Sequence, residues 1–195
     1  MDPKVVEVYK TVGKVLKAYK SGSLPKIFKV IPQLSNWEDI LFLTKPEEWS
    51  NRSMYEATRM FTSNSDEKQL QRFLNLVLLP AIRDNITSFK KLNCHLYDAV
   101  KKSMFKPKAF FKGFIFPLTE DCSSREAAII GSILQKCSIN VIYAGAALCK
   151  LCEMKYSIGT SYFIKVFLSK SYSFPQTVID RLVDYFFKFT DESFI

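Results

Sequence analysis

The sequence predicts an all-α protein, an irregular α-solenoid of about ten stacked antiparallel helices. Three observations carry that expectation. Apolar residues recur at three- and four-residue steps along most of the chain, whereas a period of two is sustained nowhere. Glycine is scarce, at 6 in 195 residues, so few positions favour tight turns. Ser-x-x-Glu patterns precede several of the apolar runs and mark helix starts. With 48% hydrophobic residues the chain can build a sizeable core, and one helical domain over residues 1–195 is expected.

Each element has its own signal. Val5, Val8, Val12, Val15, Leu16 and Tyr19 form an apolar stripe, with Lys10, Lys14, Lys17 and Lys20 between them. This is an amphipathic helix with a basic outer face, stopped by Ser21-Gly22-Ser23. Pro25, at a first-turn position, opens a short helix that ends near Pro32. Ser35-x-x-Glu38 predicts a capped helix through Ile40, Leu41 and Leu43. Ser53-x-x-Glu56 predicts one through Met60 and Phe61, and Ser123-x-x-Glu126 a third. The pattern beginning near Ser65 should break or kink at Pro80, which lacks an N–H and clashes with the preceding turn. Phe89, Leu92, Leu96, Val100 and Met104 read as one stripe of a following helix.

The stretch 101–118 holds five lysines and five phenylalanines. Helical spacing from Pro107 to about Phe116 puts Phe110, Phe111, Phe114, Ile115 and Leu118 on one broad core stripe. Lys108 and Lys112 project from the other side, with Phe116 one turn beyond Lys112. After Ser123, Ile129, Ile130, Ile133, Leu134 and Cys137 form a further stripe, and Ala128, Gly131 and Ser132 are expected to allow close helix approach. Val141–Met154 and Thr160–Leu168 read as helices. Pro175 opens a last one through Val178, Leu182, Val183, Phe186 and Phe187.

Composition narrows the function classes. The longest apolar-plus-small run, about Ala127 to Leu134, is well short of the ~20 residues a membrane span needs, so no membrane role is expected. The first residues lead into a charged amphipathic pattern rather than a secretory leader. Five scattered cysteines, an odd number, fit reduced thiols in a nuclear or cytosolic compartment. The single histidine, His95, falls on the polar side of its helix near Lys91, Asp98 and Lys102, which suits a surface residue. Cys149-Lys150-Leu151-Cys152 has no second pair to complete a zinc site and no βαβ context for redox work. Inside an amphipathic helix it reads as packing. No glycine-rich phosphate loop and no convergent carboxylate pair is found. The expectation is a non-enzyme without cofactor, metal or small-molecule substrate.

A formal net charge of +9 points instead to a polyanionic partner. The charge is uneven. Seven lysines lie between Lys4 and Lys29, and eight basic residues between Arg83 and Lys112. Lysine outnumbers arginine, which favours contact with backbone phosphates over bidentate base readout. Lys17, Lys20, Lys26, Lys101, Lys102, Lys106, Lys108 and Lys112 are the candidate phosphate contacts, and Phe116 is the candidate for base stacking. Ordinary solubilising charge is the alternative, and with it a protein-only helical adaptor holding a partner peptide in a groove.

The residues also carry a resemblance. Val8-Tyr9, Val12-Gly13-Lys14, Tyr19-Lys20-Ser21-Gly22 and Leu24-Pro25-Lys26 begin it. Asn36-Trp37-Glu38, Thr44-x-Pro46-Glu47-x-Trp49, Met54-Tyr55-Glu56-Ala57-Thr58-Arg59 and Ser63-Asn64 continue it. Further matches are Arg72-Phe73-x-Asn75-x-Val77-Leu78-Leu79-Pro80, Leu92-Asn93-x-His95-Leu96-Tyr97, Lys101-Lys102 and Lys106-Pro107. Phe110-Phe111-Lys112-Gly113, Arg125-Glu126-Ala127 and Gly131-Ser132-Ile133 complete the set. In these collinear pieces the chain resembles the bystin family, eukaryotic nuclear factors of small-ribosomal-subunit assembly, from about Val5 to Phe189.

The resemblance implies an all-helical, solenoid-like fold without enzymatic activity. It implies binding to pre-18S rRNA near the head and beak of the pre-40S particle. The implied partners are small-subunit ribosomal proteins of the head and the low-temperature-viability-type export adaptor. The implied location is the nucleus and nucleolus, extending to the cytoplasm with late particles. The family's charged N-terminal region and a further helical stretch at the other end have no counterpart in this sequence. Asn140 and Tyr143 stand where the family pattern has proline and histidine.

Overall fold

The computed structural model describes residues 3–190, and among these the protein is all-α, with no strand. The chain divides into two compact units between Phe114 and Ile115.

The first unit begins with α1 (Pro3–Ala18), which buries Tyr9, Val12 and Leu16. Gly22, at φ +99°, turns the chain after it, a conformation that glycine adopts at little steric cost. The expected helix from Pro25 forms as a 3-10 helix, Phe28–Gln33, with Pro32 inside it. Next come α2 (Trp37–Leu43), a 3-10 turn (Pro46–Glu48) and α3 (Asn51–Asn64). Gly13 lets α1 lie against the end of α2, since a Cβ there would stand 2.5 Å from the Thr44 carbonyl oxygen. Then α4 (Glu67–Phe73), a π-helical segment (Leu74–Leu78) and α5 (Leu79–Phe89) run on as continuous helix. Finally come α6 (Cys94–Ser103) and α7 (Pro107–Phe110). The core is aromatic: Phe61 stacks on Phe73 with ring centroids 4.2 Å apart, and Phe110 on Phe114 at 5.5 Å.

A second π-helical segment, Phe111–Ile115, contains the division between the units. The second unit is built from α8 (Phe116–Glu120), α9 (Ser124–Lys136), α10 (Val141–Glu153), α11 (Ile158–Leu168) and α12 (Gln176–Phe187), with a 3-10 turn at Lys188–Thr190. α9 packs on α11, and α10 on both α11 and α12. Phe163 and Phe167 of α11 are fully buried.

Several local expectations are corrected. Ser35 does not cap α2: the cap residue is Asn36, and Glu38 instead takes two hydrogen bonds from the Arg72 guanidinium on α4. Ser53 lies inside α3 and is buried, where its hydroxyl donates to the Leu16 carbonyl at 2.9 Å. Ser50 is the true cap and accepts from the Ser53 N–H. The third box forms as read, with Ser123 and Glu126 bonded reciprocally. Ser157 and Thr160 make a comparable reciprocal pair at the start of α11.

Helix persists through Pro80 and Pro117 because each follows a π-helical segment. The wider turn re-registers the ladder just before the ring; the Leu79 N–H donates to the Leu74 carbonyl, five residues back. The stripe from Phe89 is broken by Lys90 at φ +58°, so Phe89 ends α5, largely exposed, and Asn93 starts α6. Of the three small residues expected to allow close approach on α9, Gly131 makes it, against the Tyr162 ring, while Ala128 and Ser132 are exposed. On α12, Val178, Leu182 and Tyr185 are buried, while Val183, Phe186 and Phe187 are exposed.

Candidate nucleic-acid interface

All the lysines singled out by sequence lie in the first unit, where the structure sorts them by partner. On α1, Lys17 Nζ donates to Glu48 at 2.8 Å, and Lys45 reaches the other oxygen of the same carboxylate at 3.2 Å. Hydrogen bonds from these two ammonium groups, Lys17 first, hold the Glu48 carboxyl below its usual range. Lys10, Lys14, Lys17, Lys45 and Glu48 line a surface cavity of about 620 Å³ together with Phe42 and Leu43. Lys10, Lys14 and Lys17 follow helical spacing, so this basic face is legible as amphipathicity. Lys45 joins them only through the fold, held by left-handed backbone at φ 51°. Lys20 and Lys26 are exposed and have no carboxylate partner among the described residues.

The second group spans the end of α6 and α7. Lys101 lies over the Tyr97 ring, 5.5 Å from its centroid, and Lys102 over the Phe105 ring at 4.1 Å. Neither has a carboxylate partner among the described residues. Lys106 is used internally, its ammonium donating to the Ser65 carbonyl just before α4. Lys108 pairs with Glu67 of α4 at 3.1 Å. Both therefore fasten α7 to the start of α4, a role that counting lysines does not reveal. Lys112 is exposed, without an ion pair among the described residues. Phe110, Phe111, Phe114, Ile115 and Leu118 are buried, as the helical stripe predicts.

Phe116 is half-buried and belongs to the second unit, whereas the candidate lysines all belong to the first. The exposed ring in the stretch is Phe105, at 74% of its surface. Sequence reasoning missed it because it lies in the turn between two helices, where helical spacing assigns no face. A family model described as Bystin matches residues 1–194.

The chain belongs to the Bystin family. The Bystin of Monosiga brevicollis is 56% identical over 191 residues, which is 97% of this chain and 46% of that protein. The human Bystin is 53% identical over 194 residues, covering 98% of this chain and 44% of its own length. The Arabidopsis thaliana Bystin is 50% identical over 194 residues, again covering 98% and 44%. The chain thus spans a little under half the length of these Bystin relatives.

The remaining candidates are placed plainly in this Bystin fold. Cys149 and Cys152 lie on α10, and burial raises both thiols, Cys152 to about 11. A thiol so raised stays protonated near neutral pH and is a poor nucleophile. His95 is half-buried at the start of α6, where its backbone N–H donates to the Asn93 cap. Among the described residues no group of three or more His, Cys, Asp or Glu is placed to hold a metal ion. No described helix is long and apolar enough to cross a membrane.

Proposed function

We propose that this chain is a non-enzymatic assembly factor of the small ribosomal subunit, binding pre-18S rRNA and protein partners on the pre-40S particle during rRNA maturation. The observation that supports this reading is a surplus of free positive charge on a Bystin-family fold. Lys10, Lys14, Lys20, Lys26, Lys101, Lys102 and Lys112 have no carboxylate partner among the described residues, on a chain of net charge +9. Ammonium groups not held by a carboxylate are available to replace the cations condensed on an RNA backbone. The proposed partners are head proteins of the small subunit and the low-temperature-viability-type export adaptor. The proposed location is the nucleus and nucleolus, extending to the cytoplasm with late particles.

Titrating a structured RNA against the protein at several salt concentrations tests the RNA part. Affinity should fall steeply with salt, and Lys101→Glu with Lys102→Glu should flatten the slope by about 0.7–0.9 for each phosphate no longer engaged. A salt-insensitive affinity overturns this part of the reading.

A second reading, a protein-only adaptor, draws on a cavity of about 330 Å³ in the first unit, largely apolar but with Glu47 and Asp84 in its lining. It is lined by Phe42, Trp49, Met54, Val77, Pro80 and Phe89 among others, and Phe42 and Phe89 are exposed at 47% and 64%. Capture of protein partners undiminished by nuclease, with no RNA crosslink to the chain, favours that alternative.

A further inference from the structure

We propose that Phe105 is a stacking platform for an unpaired RNA base, with Lys101 and Lys102 placed for the phosphates beside it. This rests on the RNA-binding reading above and goes beyond it, from backbone contact to base contact.

An exposed phenylalanine ring loses free energy to water, and half of the described phenylalanines are buried away from it. Phe28, Phe61, Phe73, Phe110, Phe114, Phe163 and Phe167 are all fully buried. Phe105 is 74% exposed. It is not on a loose segment. Its N–H donates to the Lys102 carbonyl at 3.2 Å, and the Lys106 N–H to the Ser103 carbonyl at 3.2 Å. Met104 before it is buried, and Lys106 after it is fastened to the Ser65 carbonyl. Pro107 then opens α7 and restricts the backbone of Lys106. The ring is thus held outward by anchors on both sides, so ordering it on binding costs little entropy.

Its surroundings favour a nucleotide over an apolar protein surface. Lys102 lies over the ring at 4.1 Å, and Lys101 one residue earlier lies over Tyr97, both without a carboxylate partner among the described residues. A protein hot spot of this size would sit within an apolar patch that excludes water. Here the ring's immediate cover is charge. A base that stacks on this ring takes the face opposite Lys102 or displaces that ammonium toward the backbone, so that the ring meets the base and the cations, held by no carboxylate among the described residues, meet the phosphates.

The test measures binding of a short single-stranded RNA, and of a fully paired RNA duplex, to Phe105→Ala, Phe105→Trp and Phe105→Leu variants of the chain. Circular dichroism should be unchanged, because the side chain packs against little. Phe105→Ala should weaken single-strand binding by about 5- to 150-fold, the range of one missing base stack, with the salt slope kept and duplex binding unaltered. Phe105→Trp should preserve affinity, and its indole emission should be quenched by the RNA. Unchanged single-strand affinity in Phe105→Ala, beside a wild type that binds RNA, overturns the stack and leaves the wider reading standing. Full rescue by Phe105→Leu overturns it in favour of an apolar protein contact. No RNA binding by the wild type overturns both.

Discussion

At the scale of single residues, the close approaches are where substitution costs most. Gly113 has no room for a side chain, because a Cβ there would stand 2.3 Å from the Gln71 carbonyl oxygen, which belongs to helix backbone and cannot swing aside. Gly113→Ala should therefore lower unfolding free energy by about 1–3 kcal/mol in a denaturant titration, the usual cost of overpacking. Gly131→Ala should cost less, since the nearest atom there is the edge of the Tyr162 ring, a side chain with some freedom to move. Equal losses at the two sites would contradict this account. The glycine scarcity was legible in the sequence, and Gly131 was singled out there. Gly113 was not, because what makes it necessary is a carbonyl that lies far along the chain at Gln71. Lys106 teaches the same point with charge: its Ser65 partner lies 41 positions away in sequence.

At the scale of elements, the start signals were legible as chemistry but ambiguous as position. Three Ser-x-x-Glu patterns look equivalent in the sequence, yet only Ser123 and Glu126 form the reciprocal cap. Glu38 is drawn to Arg72 and Glu56 to Arg52 and Arg59, so tertiary and neighbouring ion pairs outcompete the local cap for the carboxylate. Ser123→Ala and Ser157→Ala should each destabilise by about 1 kcal/mol. Ser35→Ala should be nearly silent, for Ser35 is exposed and caps nothing. Thermal melts of the three variants check the order, and a Ser35→Ala loss as large as that of Ser123→Ala would refute it. The prolines show the converse failure. Local rules alone read Pro80 as a break, but a π-helical segment needs one extra residue per turn, which a three- and four-residue repeat does not register.

At the scale of the whole molecule, the helical class followed from a pattern repeated along the entire chain, so errors at single boundaries did not disturb it. The candidate interface was legible only as an excess of charge. Net charge adds every lysine alike, whereas the fold separates those that face solvent alone from those already answered by a carboxylate or a carbonyl. Phe105 lay outside any periodic reading because a turn residue has no helical face. Membership of the Bystin family fixes the fold's kinship, while the division of lysines follows from how this chain packs.

That division bears on Glu48. A carboxylate bridging Lys17 and Lys45 is a counter-ion carried by the protein itself, tethered at an effective concentration that dissolved salt cannot match. Lysines held by this carboxylate neutralise no phosphate while it keeps them, so they release no cations from the RNA and do not simply add to the salt dependence of its binding. The measured slope should therefore fall short of one built from the lysine count. Replacing Glu48 by Gln removes the internal ion and returns two ammonium groups to solution. RNA affinity at low salt should then rise, and the slope should steepen by up to about 0.7–0.9 for each lysine that reaches a phosphate. An unchanged slope would mean that this corner of α1 stands clear of the RNA.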